Sequence, residues 1–168
     1  MPVKSADKGK RAERELCKIL SARFGKPFER TVASGARWAQ VKEMTKAAKD
    51  TLSGDISVPD GFRWVLESKC GYEDKIDLGG LTSNSTLDSF LAQVQADAIR
   101  SGRKPMLLYK RRLRPWLAVV PRSTFLLDAD VSHSLTYKDF VVLPLASLLE
   151  LPDEFWFHGT NINPCEEY

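Results

Sequence analysis

The run Phe62-Arg63-Trp64-Val65-Leu66-Glu67-Ser68-Lys69-Cys70 constrains this chain more than any other stretch, because it reads as a single strand with two distinct faces. Successive side chains of a strand point to opposite sides. Phe62, Trp64, Leu66, Ser68 and Cys70 then share one face, and Arg63, Val65, Glu67 and Lys69 share the other. Pro59-Asp60-Gly61 precedes the run as a turn, and Asp55-Ile56-Ser57-Val58 precedes the turn, so the pattern predicts a β-hairpin. With Val58 opposite Phe62, Asp55 stands opposite Val65 and diagonal to Glu67. Asp55, Glu67 and Lys69 would then project from the same side, and a slip of one residue would part them.

Helices and further strands can be placed around this hairpin. Ala12, Leu16, Ile19, Leu20 and Phe24 recur at helical spacing, which predicts a helix over 8–24, stopped by Gly25 and followed by Pro27. A short strand is expected over 28–33 and a second helix over 86–101, with Leu87, Phe90, Leu91, Val94 and Ala98 on one side. Strands are expected at 105–109 and 116–120, joined by the basic turn 110–115. A last strand over 140–143 and a short helix over 145–149 complete the order. Helix, sheet, helix and more sheet make the class α/β or α+β. The 168 residues, 43% of them hydrophobic, suit one domain with a real core.

The chemistry open to the chain is narrow. Three scattered cysteines (Cys17, Cys70, Cys165) without a CxxC pair favour neither a disulfide framework nor a thiolate metal site. Two histidines, His133 and His158, leave little for imidazole chemistry, so catalysis would run on carboxylates and lysine. Two neighbouring carboxylates resist joint ionisation unless a cation lies between them. Mg²⁺ takes oxygen ligands and retains waters able to attack a phosphodiester. Asp55 and Glu67 as ligands, with Lys69 to orient or deprotonate a water or to steady the transition state, would make a hydrolytic site. The competing reading of these residues is a surface ion pair between Glu67 and Lys69. Glu13 weighs against it, because it projects into the apolar arc of the first helix, where a carboxylate is costly unless paired or metal-bound. An ion pair to Arg30 or Lys69 would satisfy it too. Glu15 falls just outside the arc.

Charge is unevenly spread. Residues 1–54 hold 13 Lys/Arg against 6 Asp/Glu, and 100–114 add seven basic residues and no acid. From Ser123 onward one lysine faces eight acids. Such blocks suit a phosphate-binding face with an acidic region turned away from it, or a solvated lysine-rich surface. No apolar run approaches the roughly 18–20 residues that span a bilayer, and the first residues lack a secretory signal. The expectation is an intracellular, cytoplasmic protein without a membrane partner, in the host cytoplasm if it is viral.

Several ordered segments resemble a known family. Lys8-Gly9-Lys10-Arg11-Ala12-Glu13-Arg14-Glu15-Leu16 is similar to the KGxxxEREL opening of archaeal-type Holliday-junction resolvases. Arg30-Thr31-Val32-Ala33-Ser34-Gly35 resembles their Arg–Ser–Gly segment. Gly54-Asp55-Ile56 and Glu67-Ser68-Lys69 resemble the PD-(D/E)xK nuclease core. Gln93-Val94 and Pro105-Met106-Leu107-Leu108 resemble the helix and strand that follow. The likeness runs in order over about 8–120.

The resemblance implies a PD-(D/E)xK, restriction-endonuclease-like α/β fold, with a mixed central sheet flanked by helices in a single domain over 1–168. It implies Glu13, Asp55 and Glu67 as metal-site acids, with the Ser68 backbone carbonyl beside them and Lys69 as the catalytic lysine. The metal would be Mg²⁺, with Mn²⁺ able to substitute, and no nucleotide cofactor is expected. Arg14 and Arg30 would contact phosphates, Ser34 would lie in a loop near the scissile strand, and Gln93 would contact DNA, with Gln95 competing for that role; Lys10 is a further candidate DNA contact. Family members are homodimers that cut four-way junctions, and two-fold symmetry suits a paired cut. A small stand-alone resolvase would suit a virus or a prokaryote.

Two segments depart from that pattern. Residues 36–53 make a long basic connection, in which Arg37-Trp38 could set a cation and a ring against an unpaired base or could pack a loop. The acidic stretch 123–168 has no counterpart, and Phe155-Trp156-Phe157 in it would pack on the core or cover a partner surface. Lys110, Arg111 and Arg112 could grip a duplex arm through its phosphates, or form a solvated turn. Two rival readings stand beside the resolvase. One is a superfamily nuclease acting on duplex or flap DNA in repair or restriction; the other is a non-catalytic DNA-binding module of the same fold.

Overall fold

The computed structural model describes residues 5–31, 54–72, 76, 84–125 and 134–158. The first helix, α1, runs Ser5–Phe24. It buries Ala12, Leu16 and Leu20 of the stripe its spacing predicts, with Ile19 and Phe24 packed at the margin and Cys17 buried beside them. Gly25 ends it with φ +62, and its N–H donates to the Ser21 carbonyl at 2.9 Å.

Two short strands follow, β1 (Glu29–Arg30) and β2 (Ile56–Ser57), paired antiparallel with Arg30 opposite Ile56. Next come β3 (Trp64–Cys70), α2 (Ser85–Ser101), β4 (Lys104–Lys110) and β5 (Trp116–Pro121). The order closes with β6 (Leu135–Tyr137), β7 (Phe140–Pro144), α3 (Leu145–Leu149) and α4 (Asp153–Trp156). The main sheet has the order β3-β4-β5-β7-β6. β3 and β4 are parallel, with α2 between them in sequence, and the remaining pairs are antiparallel. This is the expected mixed sheet flanked by helices.

Both faces of the sheet are covered, so its central strands read as nearly continuous apolar runs. Trp64, Leu66, Met106, Leu108, Ala118, Val120, Val141 and Leu143 pack with α1, α3 and α4. Val65, Leu107, Val119, Phe140 and Val142 pack with Leu87, Leu91 and Val94 of α2. The alternation within 62–70 therefore sorts as predicted. Phe62, Trp64 and Leu66 face α1, and Val65 faces α2.

The acidic C-terminal region contributes to this architecture. β6 and β7 extend the sheet, and Tyr137 of β6 donates to Asp88 at 2.8 Å at the start of α2. The Asn84 side chain caps the same helix end by accepting from the Leu87 N–H at 2.9 Å. Phe155-Trp156-Phe157 packs on the core, the first of its two readings. Trp156 is fully buried, and its ring lies 5.2 Å from Phe24 and 6.0 Å from Phe62. The backbone seals that join, with Arg63 N–H donating to the Trp156 carbonyl at 2.8 Å and His158 N–H to Gly61 at 2.8 Å. No described helix is long and apolar enough to cross a membrane.

The hairpin expectation needs correction. β2 pairs with β1, not with the start of β3, and the two arms meet through one backbone bond, from the Asp55 N–H to the Leu66 carbonyl at 2.9 Å. Asp55 thus sits level with Leu66, one residue beyond the predicted Val65. Gly54 makes that approach possible: its φ is +83, and a Cβ there would stand 2.6 Å from the Leu66 carbonyl oxygen. Only glycine lets the chain come this close to the strand edge.

Candidate active site

β3 is the outer strand of the main sheet, and the site is built on its open edge. Three elements converge there, each supplying part of the chemistry. On the α2 side, Glu67 and Lys69 project from β3, and Lys69 Nζ donates to Glu67 Oε1 at 2.6 Å. Gln93 of α2 reaches the same oxygen, with Nε2 donating at 2.7 Å, and its own Oε1 accepts from Lys69 at 3.4 Å. Gln93, bonded to both Glu67 and Lys69, is therefore the glutamine that enters the site. Glu67 is 2% exposed, so its charge is held almost wholly by these neighbours.

At the edge itself, Asp55 Oδ2 accepts from the Ser68 N–H at 2.9 Å. Residues 66 and 68 both turn their backbone groups to this edge. Strand geometry points the Ser68 carbonyl the same way, towards Asp55. On the opposite side, Glu13 of α1 is gripped by Arg30 of β1 in an ion pair. The Thr31 N–H donates to the Asp55 carbonyl at 2.9 Å, which ties β1 to the same acid.

The electrostatics of the two acids follow from burial. Burial raises the pKa of Asp55, and the Ser68 N–H and the Lys69 charge only partly offset it. Burial, together with the Asp55 charge, pushes Glu67 up to about 7, against the pull of Lys69. A buried and a half-buried carboxylate that resist ionising side by side, with a backbone carbonyl turned to the same edge, form an oxygen donor set that a small divalent cation would relieve. Among the described residues, no group of three or more acidic, histidine or cysteine side chains is close enough to hold a metal. Glu13, expected as a third metal acid, is ion-paired with Arg30, and its charge bears on both Asp55 and Glu67.

These pKa shifts have a consequence for stability without metal. A folded-state pKa above the unfolded value means the native protein binds more protons, so stability falls as pH rises between the two. For Glu67 that window runs from about 4.5 to about 7. Chelator-treated protein is expected to melt at a lower temperature at pH 7.5 than at pH 5.5, and Glu67→Gln should flatten the slope. A wild-type Tm that rises across this interval would contradict the assignment.

The remaining expected contacts are spread around the site. Lys10 and Arg14 are exposed one turn apart on α1. Lys110 ends β4 and is ion-paired with Glu15, whose Oε1 also accepts from Trp116 Nε1 at 3.2 Å. That pairing holds Glu15 below the usual carboxylate range. No local pattern points to it, since the partners are far apart in sequence. Arg111 and Arg112 follow in the β4–β5 turn. Ser34 and Arg37, with Trp38 and the whole of 36–53, lie outside the described residues.

A mixed sheet whose edge strand carries Glu-x-Lys, with an Asp docked against it, defines the class: the PD-(D/E)xK nucleases. Residues 4–147 match the model of the family described as "Phage putative PDDEXK endonuclease", and the chain belongs to that family. It is also similar to Protein D14 of Escherichia phage T5, 28% identical over 151 residues that span 85% of this chain and 89% of that protein. No solved structure matches it.

Proposed function

We propose that this protein is a metal-dependent endonuclease that cuts branched DNA, four-way junctions foremost, and acts as a homodimer. The observation that carries the nuclease chemistry is the convergence of Asp55, Glu67, Lys69 and Gln93 at one strand edge. The junction as substrate rests on the ordered likeness of 8–120 to archaeal-type resolvases.

In this reading Asp55, Glu67 and the Ser68 carbonyl would hold Mg²⁺, with Mn²⁺ able to replace it. The cation supplies a lowered water pKa and offsets the charge that develops on the phosphate. Lys69 orients the attacking water and neutralises the pentavalent transition state. Gln93 fixes the Glu67 carboxylate and keeps Lys69 from lying down on it alone. Glu13 and Arg30 brace the Asp55 side of the site, and Lys10, Arg14 and Arg111 follow phosphates outward. Ser34 and Arg37 would add further contacts to the DNA.

The deciding experiment compares cleavage of four-way junction, flap, splayed and linear duplex DNA in Mg²⁺. Symmetric cuts in the junction with little cutting of linear duplex are expected. Equal cutting of linear duplex would remove the junction assignment and leave a general nuclease. Binding without metal-dependent cutting would leave a DNA-binding module.

A further inference from the structure

We infer that the β4–β5 turn is a DNA wedge, in which Leu113 inserts between stacked bases of a duplex arm while arginines on either side hold its phosphates. This rests on the nuclease reading above and extends it to how the substrate is distorted. Leu113 is 92% exposed, the most exposed large hydrophobic residue among those described. Its backbone is unusual as well. The Arg114 N–H donates to the Arg111 carbonyl at 3.2 Å, closing a β-turn, and Leu113, third in that turn, has φ +57. That position ordinarily falls to glycine or asparagine, because a Cβ is strained there. Leucine therefore gains nothing from burial and costs backbone energy. Folding alone would favour a glycine at this position, so the apolar side chain calls for a reason outside the fold.

The surroundings specify the partner. Arg111, Arg112 and Arg114 flank Leu113 with no acid in the turn. The base of the turn is clamped: Lys110 is paired with Glu15 of α1, and its ammonium lies 5.4 Å from the Trp116 ring. A rigid stem with one apolar tip among guanidinium groups suits a polyanion whose interior is apolar and stacked. Basic proteins that bend DNA use such wedges, opening a base step to gain contact with the bent duplex. One leucine is too little apolar surface for a lipid interface, which takes a whole helix face.

The turn is also in the right place. β4 runs parallel to β3, with Tyr109 opposite Lys69 and Lys110 opposite Cys70. The turn therefore leaves the sheet at the end where Lys69 lies. Three residues carry Leu113 no more than about 11 Å beyond Lys110, well within one helical turn of duplex, about 34 Å. A duplex whose backbone meets Lys69 can meet Leu113 in the same arm.

The test uses the full chain carrying Asp55→Asn, with a four-way junction that holds 2-aminopurine at the duplex steps next to the branch. The parent is expected to raise 2-aminopurine fluorescence on binding. Adding Leu113→Gly should abolish that rise, weaken binding about tenfold and leave Tm no lower, since glycine fits the turn. Leu113→Phe should preserve the signal. If the parent binds but Leu113→Gly unstacks the step equally well, or if the parent gives no rise, the wedge is overturned and the nuclease reading stands. Failure of the parent to bind any DNA overturns both. Retention of the parent, and not of Leu113→Gly, on anionic phospholipid vesicles with DNA binding unchanged would assign the tip to a membrane instead.

Discussion

Asp55→Asn is expected to reduce cleavage by a factor on the order of 10³ or more while junction affinity stays close to that of the wild type. The substitution is nearly isosteric, and the amide oxygen can still accept the Ser68 N–H that now reaches Oδ2 at 2.9 Å. The contact to β3 is kept, so the edge of the strand should not move. What disappears is a negative charge that, after burial, helps raise the pKa of Glu67. The expected signature is therefore split. Metal-dependent turnover collapses, binding in the absence of turnover persists, and the pH slope of metal-free stability becomes shallower because Glu67 loses its repulsive neighbour. Undiminished cleavage by this variant would remove Asp55 from the reaction, and the proposed site with it.

Trp156→Ala should destabilise the fold by about 3–5 kcal/mol, a large part of the roughly 5–15 kcal/mol typical of a domain. Trp156 has no exposed surface and packs among Phe24, Phe62, Trp64 and Phe155 at ring separations of 5.2–6.5 Å. These rings join the end of α1 to the approach to β3, and the Trp64 indole N–H donates to the Phe155 carbonyl at 3.1 Å. Removing the indole leaves a cavity that the sheet cannot close without moving Trp64, which stands on the same strand as Glu67 and Lys69. The midpoint of urea unfolding is the measurement, with cleavage followed in parallel below the transition. An unchanged midpoint would mean that the aromatic triplet docks without holding the core together.

The expectation that failed and the ones that held share a physical cause. Helix periodicity and strand alternation are local, so α1, α2, β4, β5, β7 and α3 are readable from spacing to within a residue or a few at their ends. The three-residue β6 carries too little pattern to be read, and α4 lies in one turn of chain after a proline. The candidate site divides along the same line. Glu67 and Lys69 share a strand face by alternation alone, and Glu13 stands out as a carboxylate on an apolar arc. Arg30 is one of two partners that spacing leaves open to Glu13; β1 pairing with β2 selects it.

The sequence by itself determined that one strand would carry Glu67 and Lys69 on one face and that a helix would precede it with Glu13 inside its buried stripe. It also determined that an Asp would arrive from before a turn. Only the tertiary structure decided how that Asp is held. Asp55 docks on the β3 edge because Gly54 permits a backbone approach that any Cβ would block, and neither the strand's edge position nor that approach is encoded in local spacing. Gln93 over Gln95 was decided in the same way, by which face α2 turns to the sheet. Register and edge are set by contacts between distant segments, so they appear only when the sheet is assembled.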